Sequence, residues 1–312
     1  MDNITYLEQR LSLDNFEDCL RFPVYFEIET INACNAGCRM CTVNEWQKSG
    51  NPLMDDAVFN KVADEIISNS NTVKTVNLSR DGEPLLDKKL VEKIYYLKKG
   101  GVKNVAFSTN ASLLSEKWIN DLLNSPLDEL MFSIDGYAKV TYEKIRKGLD
   151  YDKVIKNVKE FIKLRDSTGS KIRIRVRMVI QEENEDEVEV WGNYWRGCLK
   201  PQDLVHAKYI HSWGNQLDNY VSLKDEDRLG TPCTSPFSTM VIRYNGDVTV
   251  CPIDYDFKYV NGNVKKDNIQ NIWMSGIHFR HFRDFHMKAM RDEYDFCKGC
   301  RLWEPDIARY EF

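Results

Sequence analysis

The sequence predicts an α/β fold: a partial (β/α)6 barrel followed by a small C-terminal domain of different character. Three observations carry this expectation. Six β-rich stretches alternate with five amphipathic helical stretches between residues 22 and 210, the first β-rich stretch runs straight into a cysteine-rich loop, and a hairpin signal with four more cysteines follows residue 213. A chain of 312 residues, 42% hydrophobic and 29% charged, has enough apolar content to bury such a core.

Taken in order, a leading helix over residues 1–21 precedes a buried strand, FPVYFEIET at 22–30. MDDAVFNKVADEIISN (54–69) carries apolar residues at helical spacing and leads to the strand TVNLS (75–79). DKKLVEKIYYLKKGG (87–101) is a helix with a glycine stop before NVAFSTN (104–110). SEKWINDLLNS (115–125) begins on a capping serine and precedes ELMFSID (129–135). YDKVIKNVKEFIKLRDSTG (151–169) precedes IRIRVRMVI (172–180), and NEDEVEVWGNYWRGCL (184–199) precedes DLVHAKYI (203–210). Six such units fall short of a closed barrel of about eight, and ligands belong at the carboxyl ends of the strands. Beyond residue 213, STMVIRY and VTVCPI flank Asn245-Gly246-Asp247, a turn whose residues accept positive φ. The expected domains are a helical extension at 1–21, the barrel at 22–212 and the C-terminal domain at 213–312.

Composition excludes several classes. No apolar run reaches the roughly 18 residues of a membrane span, and the acidic, amphipathic start MDNITYLEQRLSLDNFEDC lacks the order of a signal peptide. The expectation is a cytoplasmic protein with no membrane partner. A net charge of -5 gives no basic field for nucleic acid. KIRIRVR at 171–177 is locally basic, but Ile172, Ile174 and Val176 alternate with the charges as in a half-buried strand.

Nine cysteines without an export signal are expected to be thiols, and their clustering points to metal ligation rather than disulfides. CNAGCRMC brings Cys34, Cys38 and Cys41 onto the loop after the first strand. A zinc site needs a fourth nearby ligand. The closest later candidates are Asn44 and Glu45, and all five histidines lie beyond residue 200. A 4Fe-4S cluster held by three thiolates keeps one iron open. S-adenosylmethionine can chelate that iron through its amino and carboxylate groups, and one electron then releases a 5′-deoxyadenosyl radical. Three thiols alone also remain compatible with a structural or zinc site.

The spacing C-x3-C-x2-C after the first strand of a β/α array resembles the radical S-adenosylmethionine superfamily over residues 22–210. The resemblance implies roles for further residues. Gly82-Glu83-Pro84 matches the family's glycine–glutamate motif, with Asp81 in place of its usual first glycine, and Glu83 and nearby backbone would hold the methionine amino group. Ser133, in FSIDG, matches a position that bonds the cofactor's ribose or carboxylate. Arg146, in YEKIRKG, resembles the basic residue that pairs with that carboxylate. Met40 falls where the family packs a side chain near adenine, and Ile210 would form the adenine's apolar floor.

Cys233, Gly246 and Cys251 form C-x12-G-x4-C, and Cys297-Lys-Gly-Cys300 adds two thiols. On spacing alone a zinc ribbon is an alternative. After the first motif, the pattern resembles the SPASM/Twitch extension of radical enzymes, and NGNVKKDNIQNIWMSG (261–276) is similar to its linking segment. With only these four cysteines, the resemblance implies one fully ligated auxiliary 4Fe-4S cluster, suited to electron transfer.

The function expected is therefore a radical oxidoreductase on a small polar molecule such as a sugar or aminocyclitol. It would oxidise a C–OH to a ketone, similar to the 2-deoxy-scyllo-inosamine dehydrogenase type, with flavodoxin or ferredoxin as external electron donor. About 20 residues before the first strand argue against a leader-dependent peptide substrate but do not exclude one, so a peptide-modifying radical enzyme stays an alternative. A radical epimerase is an alternative, with Cys198 or Cys19 returning hydrogen, and a non-catalytic zinc-binding protein is a remote one. General-base candidates are His206, His211, Asp254 and Asp256. The aromatics of YIHSWGN could line a pocket or the core.

Overall fold

The computed structural model describes residues 2–42, 52–214, 231–298, 300 and 309–312. In chain order the strands are β1 (Tyr25–Ile28), β2 (Thr75–Asn77), β3 (Val105–Thr109), β4 (Glu129–Ser133), β5 (Arg173–Ile180), β6 (Leu204–Tyr209), β7 (Thr239–Ile242), β8 (Asp247–Thr249), β9 (Val260–Asn263) and β10 (Arg309–Glu311). The main helices are α1 (Asn3–Leu11), α2 (Phe16–Arg21), α3 (Asp56–Ser68), α4 (Leu90–Lys99), α5 (Glu116–Leu123), α6 (Lys139–Ile145), α7 (Tyr151–Thr168), α8 (Val188–Cys198), α9 (Ser235–Ser238), α10 (Ile269–Ser275) and α11 (Ile277–Met287). The chain forms two compact units: Met1–Glu29 with Met54–Val76 and His211–Pro305, and Thr30–Leu53 with Asn77–Ile210 and Asp306–Phe312. The α/β class expected from the alternation is present.

In the first unit, β7 pairs in parallel with β1, placing Phe26 opposite Met240 and Ile28 opposite Ile242, while β8 and β9 continue antiparallel. The Asn245-Gly246-Asp247 turn forms as expected, with Gly246 at φ +90° and the Arg243 N–H donating to the Asp247 carbonyl at 2.8 Å. α3 buries Val58, Phe59, Val62, Ala63 and Ile66 on one face, each large side chain contributing roughly 1.5–3 kcal/mol. The single leading helix expected from the sequence is two. Asp2 caps α1, Ser12 ends it in the left-handed region at φ 50°, and Asn15 caps α2 by accepting from the Glu17 N–H. The break lets Leu7, Leu11, Phe16 and Cys19 share one core with Val24 and Phe237.

In the second unit, β3, β4, β5 and β6 are consecutive parallel neighbours. β5 alternates as its sequence requires: Ile174, Val176, Met178 and Ile180 are buried, while Arg173 and Arg175 pair with Glu129. The register aligns Ser133 with Arg177 and Arg177 with His206. Two elements escape the sequence pattern. α6 is seven residues long, has no side-chain cap and contains β-branched Val140 and Thr141. β10 adds to β6 in antiparallel fashion across a large sequence separation, and the Phe312 ring then packs edge-on against Trp191 at 6.3 Å.

Candidate functional sites

The loop carrying Cys34, Cys38 and Cys41 is held by backbone contacts on two sides. The Gly37 and Arg39 N–H groups donate to the Lys147 and Ile145 carbonyls, both at 2.9 Å, at the end of α6. On the other side the Glu83 N–H donates to the Ala33 carbonyl at 2.8 Å. This approach requires Gly82, because a Cβ there would stand 2.0 Å from the Ile31 carbonyl oxygen.

Glu83 is fully enclosed. Its Oε1 accepts from Thr109 Oγ1 at 2.7 Å and from the Leu85 N–H at 3.1 Å, and its Oε2 accepts from the Asn110 N–H at 2.8 Å. Burial pushes its pKa up, against the pull of those donors. A cation bound beside it would favour the carboxylate.

Arg146 is also buried, and Asp135 claims part of its guanidinium through a 2.6 Å bond from Nε, while Nη1 points at Cys38 Sγ at 3.6 Å. Burial opposes its charge, but Asp135 and Cys38 outweigh it and raise its pKa. The other Asp135 oxygen accepts from the Val179 N–H at 2.7 Å. Asn110 Nδ2 points at Cys34 Sγ at 3.9 Å and donates to Asn35 Oδ1 at 3.0 Å. Ser133 is buried and accepts a long 3.5 Å bond from Arg177 Nη2. Met40 is buried, Ile210 is half-buried with its N–H on the Ile180 carbonyl, and Asp81 forms an ion pair with Arg80 at 2.7 Å.

In the first unit, Cys233, Cys251, Cys297 and Cys300 come together. Burial pushes the Cys233 thiol up to about 12, with Cys300 adding to the effect. Cys251 is also raised well above its ordinary value, by burial and then by Cys233, Cys300 and Cys297. His286 joins two of the four: its Nδ1 accepts from the Cys233 N–H at 3.1 Å and its Nε2 lies 3.8 Å from Cys297 Sγ. Burial, then Arg291, pushes the His286 pKa down to about 4.

Among the described residues, no three His, Cys, Asp or Glu side chains converge on a point tightly enough to hold one metal ion. An iron–sulfur cube asks for a different arrangement, one thiolate per iron, with N–H donors turned toward sulfur. Cys34 and Cys38 in the first set, and Cys233 in the second through the Ser235 N–H at 3.4 Å, have donors that fit that demand. Cys34, pushed up to about 11 by burial, and Cys38, raised for the same reason, need a cation to become thiolates, and Asn110 and Arg146 already face their sulfurs.

The other candidates are dispersed. His206 is buried on β6, across from Arg177 and from Glu311 of β10. His211 accepts from the Trp213 N–H at 3.1 Å, and Trp213 stacks edge-on to Tyr255. Asp254 is buried and accepts from the Lys258 and Tyr259 N–H groups, each at 3.0 Å, while Asp256 is exposed. Cys198 is half-buried at the end of α8, and Cys19 is buried with its thiol on the Phe16 carbonyl at 3.0 Å. Asn44 and Glu45 lie outside the described residues.

Sequence reasoning passed over Asn110, Asp135, Gln181 and His286. Asn110 and Asp135 close the third and fourth strand segments, a position that could have flagged them. Gln181 directly follows β5, its N–H donates to Asn184 Oδ1 at 2.8 Å, and neither side-chain amide atom, both buried, has a partner among the described residues. His286 has no local motif.

The model of the radical SAM superfamily matches residues 28–191, and that of an iron–sulfur cluster-binding domain, SPASM, matches residues 233–301. The chain belongs to the radical SAM superfamily. As a radical SAM enzyme it uses a 4Fe-4S cluster with S-adenosylmethionine, and its SPASM domain implies auxiliary iron–sulfur binding. Membership sets aside the zinc-binding protein considered from the sequence.

A GTP 3′,8-cyclase of Lactiplantibacillus plantarum is 28% identical over 238 residues, 72% of this chain and 67% of the relative. A probable GTP 3′,8-cyclase of Methanococcus maripaludis is 29% identical over 139 residues, 45% of this chain and 46% of the relative. The chain thus spans about half to two thirds of the length of these curated relatives. Among solved structures, BtrN in complex with AdoMet and 2-DOIA has a TM-score of 0.62 at 19% identity, covering 89% of this chain and 92% of that one. SuiB of Streptococcus suis bound to precursor peptide SuiA gives 0.68 at 13%, covering 90% and 70%. At these identities the likeness is one of fold. No helix of the described residues is long and apolar enough to cross a membrane.

Proposed function

We propose that this radical SAM enzyme oxidises a C–OH group of a small polar molecule, a sugar, aminocyclitol or related intermediate, to a ketone. Cys34, Cys38 and Cys41 hold the first cluster, with Glu83 taking the amino group of S-adenosylmethionine, Arg146 its carboxylate, Ser133 the ribose or carboxylate, and Met40 and Ile210 flanking adenine. When bound, the cluster and S-adenosylmethionine supply a 5′-deoxyadenosyl radical that removes the substrate's carbon-bound hydrogen. Cys233, Cys251, Cys297 and Cys300 hold one auxiliary cluster, which takes the remaining electron. His206 is the favoured proton acceptor because it shares a register line with Arg177 and Ser133, whereas the Asp254 oxygens already hold two backbone N–H groups. The Gln181 amide, buried and unpartnered among the described residues, suits a ligand that offers both a donor and an acceptor.

The observation that carries this reading is the set of four late thiols brought together in one unit, enough to ligate every iron of a cube and leave none for substrate. The test is anaerobic reconstitution followed by incubation with polyols and aminocyclitols deuterated at the carbinol carbon. Deuterium in 5′-deoxyadenosine with one ketone per cofactor cleaved is the expected result. Solvent deuterium at that carbon with an unchanged redox level would replace oxidation by epimerisation.

The GTP 3′,8-cyclase relatives favour a second reading, in which the same radical attacks within a purine nucleotide. Including GTP among the substrates separates the two.

A further inference from the structure

We propose that His286 is a positioning residue of the auxiliary centre: it fixes Cys233 through the backbone and directs an N–H at the Cys297 sulfur, raising the reduction potential of the cluster held there. The inference rests on reading Cys233, Cys251, Cys297 and Cys300 as ligands. His286 lies near the end of α11 and is buried. A backbone N–H can only donate, so the 3.1 Å contact from Cys233 requires a lone pair on Nδ1. In the neutral imidazole the proton then sits on Nε2, the nitrogen 3.8 Å from Cys297 Sγ. The tautomer is thus set by the geometry at the far side of the ring, and the ring can only donate to that sulfur.

One side chain therefore connects the thiol before the β7–β8 hairpin to a thiol after α11. A group that merely filled space, or merely held the Cys233 backbone, would not place an N–H at a ligand sulfur. Such a donor draws charge from the thiolate and stabilises the reduced, more negative cluster, shifting the potential upward. That is the direction an electron-accepting centre needs.

The test uses the full chain with Cys34, Cys38 and Cys41 all changed to alanine, so that optical and EPR signals come from the auxiliary centre alone. Failure of this background to bind iron would count against the cluster reading itself. With about four irons bound, the His286 variants test the proposal. His286→Asn can still accept from the Cys233 N–H but offers no donor at Cys297, and it is expected to lower the potential with iron content unchanged. His286→Gln, whose amide nitrogen can stand in for Nε2, is expected to keep the potential of the background. An unaltered potential in H286N, or an equal fall in both variants, overturns the donor role. If H286N loses iron, 15N-histidine labelling decides: a nitrogen hyperfine coupling in the reduced cluster that disappears in H286Q supports the contact, and its absence overturns it.

Discussion

Gly82 runs so close to Ile31 that a Cβ on it would lie 2.0 Å from the Ile31 carbonyl oxygen and 2.9 Å from that of Ala33. The turn bearing Glu83 and the loop bearing Cys34 are therefore built against each other, backbone on backbone. Gly82→Ala must force them apart, at a cost of about 1–3 kcal/mol. Thermal unfolding should show a lowered Tm and iron analysis a selective loss at the first site. Wild-type values in both would mean that this contact does not shape the loop.

Arg146 and Asp135 form a buried ion pair that also reaches Cys38. Arg146→Met strands the Asp135 charge, and removal of one partner of a buried pair costs about 3–5 kcal/mol. Arg146→Lys keeps the charge but cannot serve Asp135 and Cys38 together with a fork. Denaturant titration should place both variants below wild type, methionine furthest. Asp135→Asn combined with Arg146→Met should recover part of the loss.

Glu83→Gln removes the charge proposed to hold the amino group of S-adenosylmethionine. Losing a charged hydrogen bond of about 1.5–3 kcal/mol weakens binding by roughly tenfold or more. The same group gives a pH dependence of known sign. Burial raises the Glu83 pKa from its ordinary 4.5, so the carboxylate, and with it cofactor affinity, is lost as pH falls, starting above that ordinary value. Equilibrium binding from neutral to mildly acid pH measures both effects. Affinity independent of pH in the wild type would count against the assignment.

Cys19 is pushed from an ordinary 9.0 up to about 12, with burial the leading cause. The unfolded chain ionises this thiol first, so its burial costs nothing below pH 9 and removes stability as pH rises from 9 toward 12. At neutral pH a folded protein should leave Cys19 unalkylated by iodoacetamide, with half-buried Cys198 reacting first. Mass spectrometry of peptides after brief labelling reads this directly. Rapid Cys19 labelling without unfolding would reopen it as a hydrogen donor in an epimerase.

Legibility followed sequence distance. The β5 alternation, the Ser115 cap of α5 and the Gly246 turn were readable because each depends on residues within a turn or a strand. The leading segment reads in sequence as one helix because only the left-handed Ser12 and the second cap at Asn15 reveal the break. β10 was invisible because its pairing with β6 is made across about a hundred residues of chain.

By itself, the sequence determined the α/β class, the two cysteine sets and the spacing of the Gly82-Glu83 motif, all of them local patterns that recur at fixed offsets. Tertiary structure decided who faces the sulfurs. Asn110 and Cys34, Arg146 and Cys38, and His286 and Cys297 lie far apart in sequence in the first two cases and on separate elements in the third. No local pattern encodes such contacts, since a side-chain N–H reaches a sulfur only once packing has brought the two backbones together.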